Sequence, residues 1–290
     1  MKIIFFNHFH NGDVHLSRGF VKAIMTAFPE HEYSYAHKND PNLLADIPNL
    51  KHLNNIPCSQ HEGVIKINGD IWINTWYGQQ SFHYMNQYGI TFDTLYSALN
   101  AATQTIFNKS LAEIEPNPIN LFPSIDYMKL KVDNIHSWLM NHSGKRVLVE
   151  NSLSLSGQSN NFDMNQVVVK LANKHPSLMF LTSAPIKDCP TNVFYCGDII
   201  KKSGSDLNEI SYLSIHCDVV VGRASGIFSF CMTKENLFQR KASFVCFSNL
   251  DTPKFWLHDL FDKTIDYHTT ITNYTTSDLD KVENIIGYYL

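Results

Sequence analysis

The chain opens with a short apolar run, Lys2–Phe6, continues through the polar stretch "NHFHNGD", and then carries apolar residues at helical spacing from Val14 to Ala27. That pattern predicts a buried strand, a loop and an amphipathic helix. Next, "EYSYAH" reads as a strand, and "GVIKINGDIWINTWYGQ" contains a second buried strand, "DIWINTW", ending at Trp76 and Tyr77. From Phe92 to Glu115 the spacing is helical, and after the Pro-rich "EPNPINLFP" a further helical stretch, "IDYMKLKVDNIHSWLMNH", leads to "SGKRVLVEN". There a turn and a strand begin the pattern again, so the junction falls at Asn141–Lys145, with an N-terminal domain over 1–142 and a C-terminal domain over 143–290.

The second half alternates more cleanly. The strand "RVLVEN" precedes the loop "SLSLSGQSNN" and a helix opened by Asp163, with Gln166 three residues on in a capping-box spacing. The strands "LMFLTS" and "VFYCG" come next, then a helix opened by Asp206 with Glu209 at the same spacing. "CDVVVGRASG" is strand then turn, "IFSFCMTKEN" helix, "ASFVCFS" strand, and "TTSDLDKVENIIGYYL" a closing helix. Strands interleaved with helices of this length mean parallel sheets. The expected fold class is α/β, with two Rossmann-like doubly wound domains facing across a cleft. Ligands of such sheets lie beyond the carboxyl ends of the strands, which directs attention to "HFHNGD", "NTWYGQ", "SLSLSGQSNN", "GDIIKKSGSD" and "GRASG".

Composition narrows the partners. A chain of 290 residues, 44% hydrophobic, can bury one large core or two medium ones. Its formal charge of −4 leaves no basic stripe to neutralise a nucleic-acid backbone, so DNA and RNA are not expected partners. Ile3–Phe6 is too short for a signal-peptide core, and no apolar run reaches the ~18 residues of a membrane span. A cytoplasmic protein is expected, with peripheral membrane contact left open. The six cysteines, Cys58, Cys189, Cys196, Cys217, Cys231 and Cys246, form no Cys-x-x-Cys pair and read as buried free thiols.

The loops carry the candidate chemistry. Ser156, Gly157 and Gln158 lie between a strand and a capped helix, where backbone amides can face an anion; a polar surface loop is the other account. In "VVVGRASGIF", Arg223 could clamp a phosphate, Ser225 bond an oxygen and Gly226 admit close backbone approach, while the alternative for Arg223 is a carboxylate partner. Lys201 and Lys202 add positive charge, or are solvated surface lysines. Asp13, at a helix start, either caps the amides or projects as a general base toward an incoming hydroxyl. His8, His10 and His15 find no partner cluster elsewhere, so no metal site is assigned; a histidine bonding a sugar or phosphate fits better, and His10 and Asn11 are placed on the acceptor side. Trp76 and Tyr77, with Asn74, Gln79 and Gln80 nearby, suit a polyhydroxylated ring or serve simply as core.

Two segments resemble a known family. "GDVHLSRGFVKAI" after the first strand, and "DLNEISYLSIHCDVVVGRASGIFSF" in the second half, are similar to the corresponding segments of the ADP-heptose lipopolysaccharide heptosyltransferases. The resemblance implies a GT-B glycosyltransferase layout, with Asp13 as catalytic base and Ser225-Gly226 in the donor-phosphate loop. The chain departs from the family pattern at Ala224, where an aspartate is usual, and at "SLSLSGQSNNF", where a lysine-containing stretch is usual. It therefore resembles a relative that uses some nucleotide sugar, with no cofactor besides that co-substrate and a glycan or other hydroxyl compound as acceptor. The one Asp-x-Asp, Asp278-Leu279-Asp280, opens the last helix, where acids complement the dipole. Two alternatives stand beside a metal-independent transferase. One is a nucleotide-sugar epimerase drawing on Asp13, Asp70 and the histidines; the other is a non-catalytic nucleotide- or glycan-binding protein.

Overall fold

A computed structural model describes residues 1–76, 94–154, 157–249 and 265–290. These form two compact units, the first holding Met1–Ile125 with 265–266, the second 126–249 with 267–290. The division thus falls 17 residues before the junction at 142 expected from the sequence. Its cause is the helix Asp133–Asn141, which packs within the second unit: Trp138 and His142 meet Phe194 edge-on, and His136 Nε2 lies 2.5 Å from the Tyr212 hydroxyl. Tyr127 likewise meets the Ser211 hydroxyl at 3.1 Å.

The first unit is built on a five-stranded sheet: β1 (Lys2–Phe6), β2 (Glu32–Ala36), β3 (Leu50–Leu53), β4 (Val64–Ile67) and β5 (Asp70–Asn74), in the order β3-β2-β1-β5-β4. Only β4 runs antiparallel. Ile3 through Phe6 are fully buried, as a central parallel strand covered on both faces must be. The sequence reading has one strand where the β4–β5 hairpin has two; Asn68 and Gly69 close it with φ of 52° and 91°, the paired positive values of a two-residue hairpin turn. Opposite the expected single helix, the stretch after "NHFH" makes two, Asn11–Leu16 and Arg18–Ala27, and the later helical stretch makes Leu95–Phe107 and Leu111–Ile114, broken at left-handed Asn108.

The second unit has a six-stranded, wholly parallel sheet: β6 (Arg146–Val149), β7 (Met179–Thr182), β8 (Val193–Tyr195), β9 (Val219–Arg223), β10 (Ser243–Phe247) and β11 (Thr270–Tyr274), ordered β11-β10-β9-β6-β7-β8. The order reverses at β6–β9, where Val147–Val149 pair with Val219–Val221. Helices Met164–Lys174 and Leu279–Tyr289 cover a core of Val147, Val149, Val167, Leu171, Val221, Val282 and Ile286. Asp163 caps the first of them, accepting from the Gln166 amide at 3.2 Å, and Asp278 caps the second. Asp206 makes no such cap; Glu209, its expected reciprocal partner, is buried and pairs with Lys202 instead. All six cysteines are free, and five are buried. Among the described residues, no helix is long and apolar enough to cross a membrane.

Candidate functional site

In the first unit β1, β2 and β5 end level, Phe6 opposite both Ala36 and Asn74. Just beyond that edge lies a polar network. Asn7 Nδ2 donates to Thr75 Oγ1 at 3.2 Å, the Tyr35 hydroxyl lies 2.5 Å from Thr75 Oγ1 and 2.9 Å from Ser17 Oγ, and Ser17 Oγ donates to the Val14 carbonyl. Asn7 Oδ1 also accepts the Phe9 amide, and Asn39 Nδ2 donates to the Phe9 carbonyl. These bonds fix the path of the chain from β1 into the helix that carries Asp13.

Asp13 sits in the first turn of that helix, where its Oδ2 accepts the His10 amide at 3.0 Å. Burial raises its pKa above the ordinary carboxyl value, and the His10 amide holds the rise back. Capping and availability as a base are therefore compatible: one oxygen serves the helix while the carboxyl keeps a heightened proton affinity. His10 is exposed and Asn11 half-buried beside it. His8 is turned away, its Nε2 donating to the Cys58 carbonyl, and His15 is fully buried, with burial pushing its pKa well down. Trp76 stacks on Phe9 with ring centroids 3.8 Å apart, so one of its faces is already covered. Tyr77, Gln79 and Gln80 lie outside the described residues. Asp70 stands at the amino end of β5, paired with Lys2 at 3.4 Å, and is thus at the opposite edge of the sheet from Asp13. An epimerase acid set including Asp70 is not assembled.

In the second unit the level edge is Val149, Val221 and Thr182. Here the expectations for positive charge are corrected. Arg223 is completely buried, its guanidinium donating to the Ser152 carbonyl at 2.7 Å and to the Phe162 carbonyl, and lying 4.6 Å above the Phe162 ring. It grips protein, not an open anion site. Lys202 is held by the buried Glu209 at 2.8 Å. Lys201 is exposed, in the left-handed conformation that ends helix Cys196–Ile200. Ser225 caps the six-residue helix Gly226–Cys231, its Oγ accepting the Phe228 amide at 3.3 Å. Gly157 takes a φ of 68°, and Asn249 holds the Gly157 and Gln158 carbonyls through its side chain and its amide. Ser156 lies outside the described residues.

Sequence reasoning missed Glu150. It is buried directly after β6, its Oε2 accepting the Arg223 amide at 3.3 Å, and burial pushes its pKa up to about 7. Gly222 permits this approach, since a Cβ there would stand 2.8 Å from Glu150 Cβ. Asn151 was missed too: its Nδ2 donates to Asn165 Oδ1 and the Ala184 carbonyl, and its Oδ1 accepts the Ala184 amide, tying the ends of β6 and β7. A charged and an amide residue closing the apolar "RVLV" were the available signal.

No protein-family model matches the sequence, and no curated protein matches it. Solved structures do. E. coli ADP-heptose LPS heptosyltransferase II matches with a TM-score of 0.54 at 10% identity, over 100% of this chain and 98% of that one. E. coli heptosyltransferase WaaC with ADP matches with a TM-score of 0.54 at 7% identity, over the whole of both chains. The fold is GT-B. TibC from enterotoxigenic E. coli H10407, described as an iron-containing dodecameric glycosyltransferase, matches with a TM-score of 0.50 at 9% identity over 96% of this chain and 65% of that one. Identities this low establish the GT-B architecture and leave the chemistry to the residues at the two sheet edges. In GT-B terms, the Asp13 edge belongs to the N-terminal unit and the Glu150–Arg223 edge to the C-terminal one.

Proposed function

We propose that the chain is a glycosyltransferase that moves a sugar from a nucleotide-sugar donor to a hydroxyl acceptor, with Asp13 as general base and no resident metal. The observation that carries this reading is the Asp13 carboxyl, standing just past the carboxyl end of β1 in a GT-B fold with its proton affinity raised by burial. A base must take the acceptor's proton as the hydroxyl attacks, and a carboxyl with a raised pKa does so with a smaller mismatch. In this reading the second unit holds the nucleotide diphosphate through Gly157, Gln158, Ser225, Gly226 and Lys201. The first presents the acceptor beside His10, Asn11 and Trp76. Likeness to a heptosyltransferase described with ADP supports a nucleoside-diphosphate sugar as donor.

Asp13→Asn tests the reading cleanly, because asparagine keeps an oxygen for the His10 amide and so preserves the helix start. Turnover of nucleotide sugars is expected to fall by about 10²–10⁴-fold while ADP affinity stays within about twofold. Adding a chelator to the wild-type assay is expected to change nothing. Full turnover in the variant removes Asp13 as base; a wild-type protein that neither binds nor turns over any nucleotide sugar removes the reading.

A further inference from the structure

The loop after β6 is held by its carbonyls. Arg223 donates to Ser152 O and Phe162 O at its two ends, Asn161 Nδ2 donates to Ser154 O at 3.0 Å, and Asn249 reaches Gly157 O at 3.1 Å and Gln158 O at 2.8 Å. Carbonyl oxygens repel an anion; these five are occupied by protein donors, which offset part of their negative charge. Asn161 completes its own bracket by accepting the Ser154 amide at 2.8 Å.

Arg223 is the costly member of this set. A guanidinium with no exposure loses its hydration, and burial accordingly lowers its pKa. Its Nε is buried with no hydrogen-bond partner among the described residues. The group is therefore oriented by the two loop ends and the Phe162 face, not by satisfying all of its own donors. Its backbone is fixed as well, since β9 pairs Arg223 with Phe247 and its amide donates to Glu150. Ser152 and Phe162, ten residues apart, are thus referred to one rigid point on the central strand.

We propose that Arg223 is a positioning residue for donor binding: by fixing Ser152 and Phe162 together, it sets the loop ends against which the donor diphosphate docks. This rests on the reading of the second unit as the donor-binding one. A lysine cannot take its place, because an ammonium is a point charge without the planar fork that reaches two carbonyls at once. Methionine would fill the volume and supply no donor.

Hydrogen exchange and ADP titration on the full chain test this with Arg223→Met and Arg223→Lys. In R223M the amides at 154 and 157–161 are expected to exchange at least about tenfold faster, with helix Leu279–Tyr289 unchanged. ADP affinity should fall at least about tenfold in step with that loosening, and R223K should recover only part of both. Wild-type loop exchange in either folded variant overturns the clasp, and a loosened loop with unchanged ADP affinity overturns its role in donor binding. If R223M does not fold, R223K decides alone by the same two readouts. A wild-type protein that binds no ADP, UDP or GDP removes the donor reading and the docking role with it, while the exchange data still establish or overturn the hold on the loop.

Discussion

Glu150 shows how far a single side chain's chemistry depends on its surroundings. Its carboxyl, ordinarily titrating near 4.5, is pushed up to about 7 by burial, with the Arg223 and Ser152 amides and the Arg223 charge opposing the rise. Cys231 and Cys246 feel the same carboxyl and are themselves pushed up by burial. Between pH 4.5 and 7 the folded chain binds this proton and the unfolded chain does not, so stability falls as pH rises through that window. Glu150→Gln removes the effect. The variant is expected to gain on wild type by about 3 kcal/mol between pH 4.5 and 8, measured by urea unfolding; a constant difference would show that Glu150 titrates normally. At this scale Asp13 was legible, because a carboxylate at a helix start is a local feature. Arg223 was not: the sequence places it after three valines, but only the β6–β9 register brings it to Glu150 and the loop ends.

At the scale of elements, the close approaches are set by glycines. Gly19 lies in helix Arg18–Ala27, and a Cβ there would stand 2.1 Å from the Leu121 carbonyl and 2.6 Å from that of Phe122. Backbone cannot yield as a side-chain tip can. Gly19→Ala is therefore expected to cost about 3 kcal/mol despite the better helix propensity of alanine, read as a lower urea midpoint. A variant as stable as wild type would mean that the helix does not sit this near residues 121–122. The same scale explains which elements could be read in advance. Central strands such as β1, β6 and β9 announce themselves as continuous apolar runs. The edge strands β3 and β11, "LKHL" and "TITNY", are only partly buried and carry no such run, so pairing with a neighbour is what makes them strands.

Across the whole molecule, acid acts through histidines kept neutral by burial. His37 is lowered to about 4, by burial and then by His52; His15 is lowered well below its ordinary value and His216 is lowered as well, again mainly by burial. Each is unprotonated in the fold at a pH where the unfolded chain is charged, so each contributes stability that is present above pH 6.5 and lost on acidification. Glu150 and Asp13 act in the contrary direction. The expected signature is a His37→Asn variant whose stability falls less steeply than wild type from pH 6.5 to 4. Parallel curves would mean that His37 titrates alike in both states.

The sequence by itself determined the alternation of strands and helices, the two parallel sheets that this alternation implies, the free thiols and the helix starts at Asp163 and Asp278, because each is encoded in periodicity and capping within a few neighbouring residues. Only the tertiary structure decided where the units divide, that Arg223 is buried against protein carbonyls and Lys202 is paired with Glu209, and that Glu150 is a buried acid. Those outcomes depend on which strands pair and in what register, and on burial. Both are fixed by contacts between residues tens of positions apart, which no local pattern records.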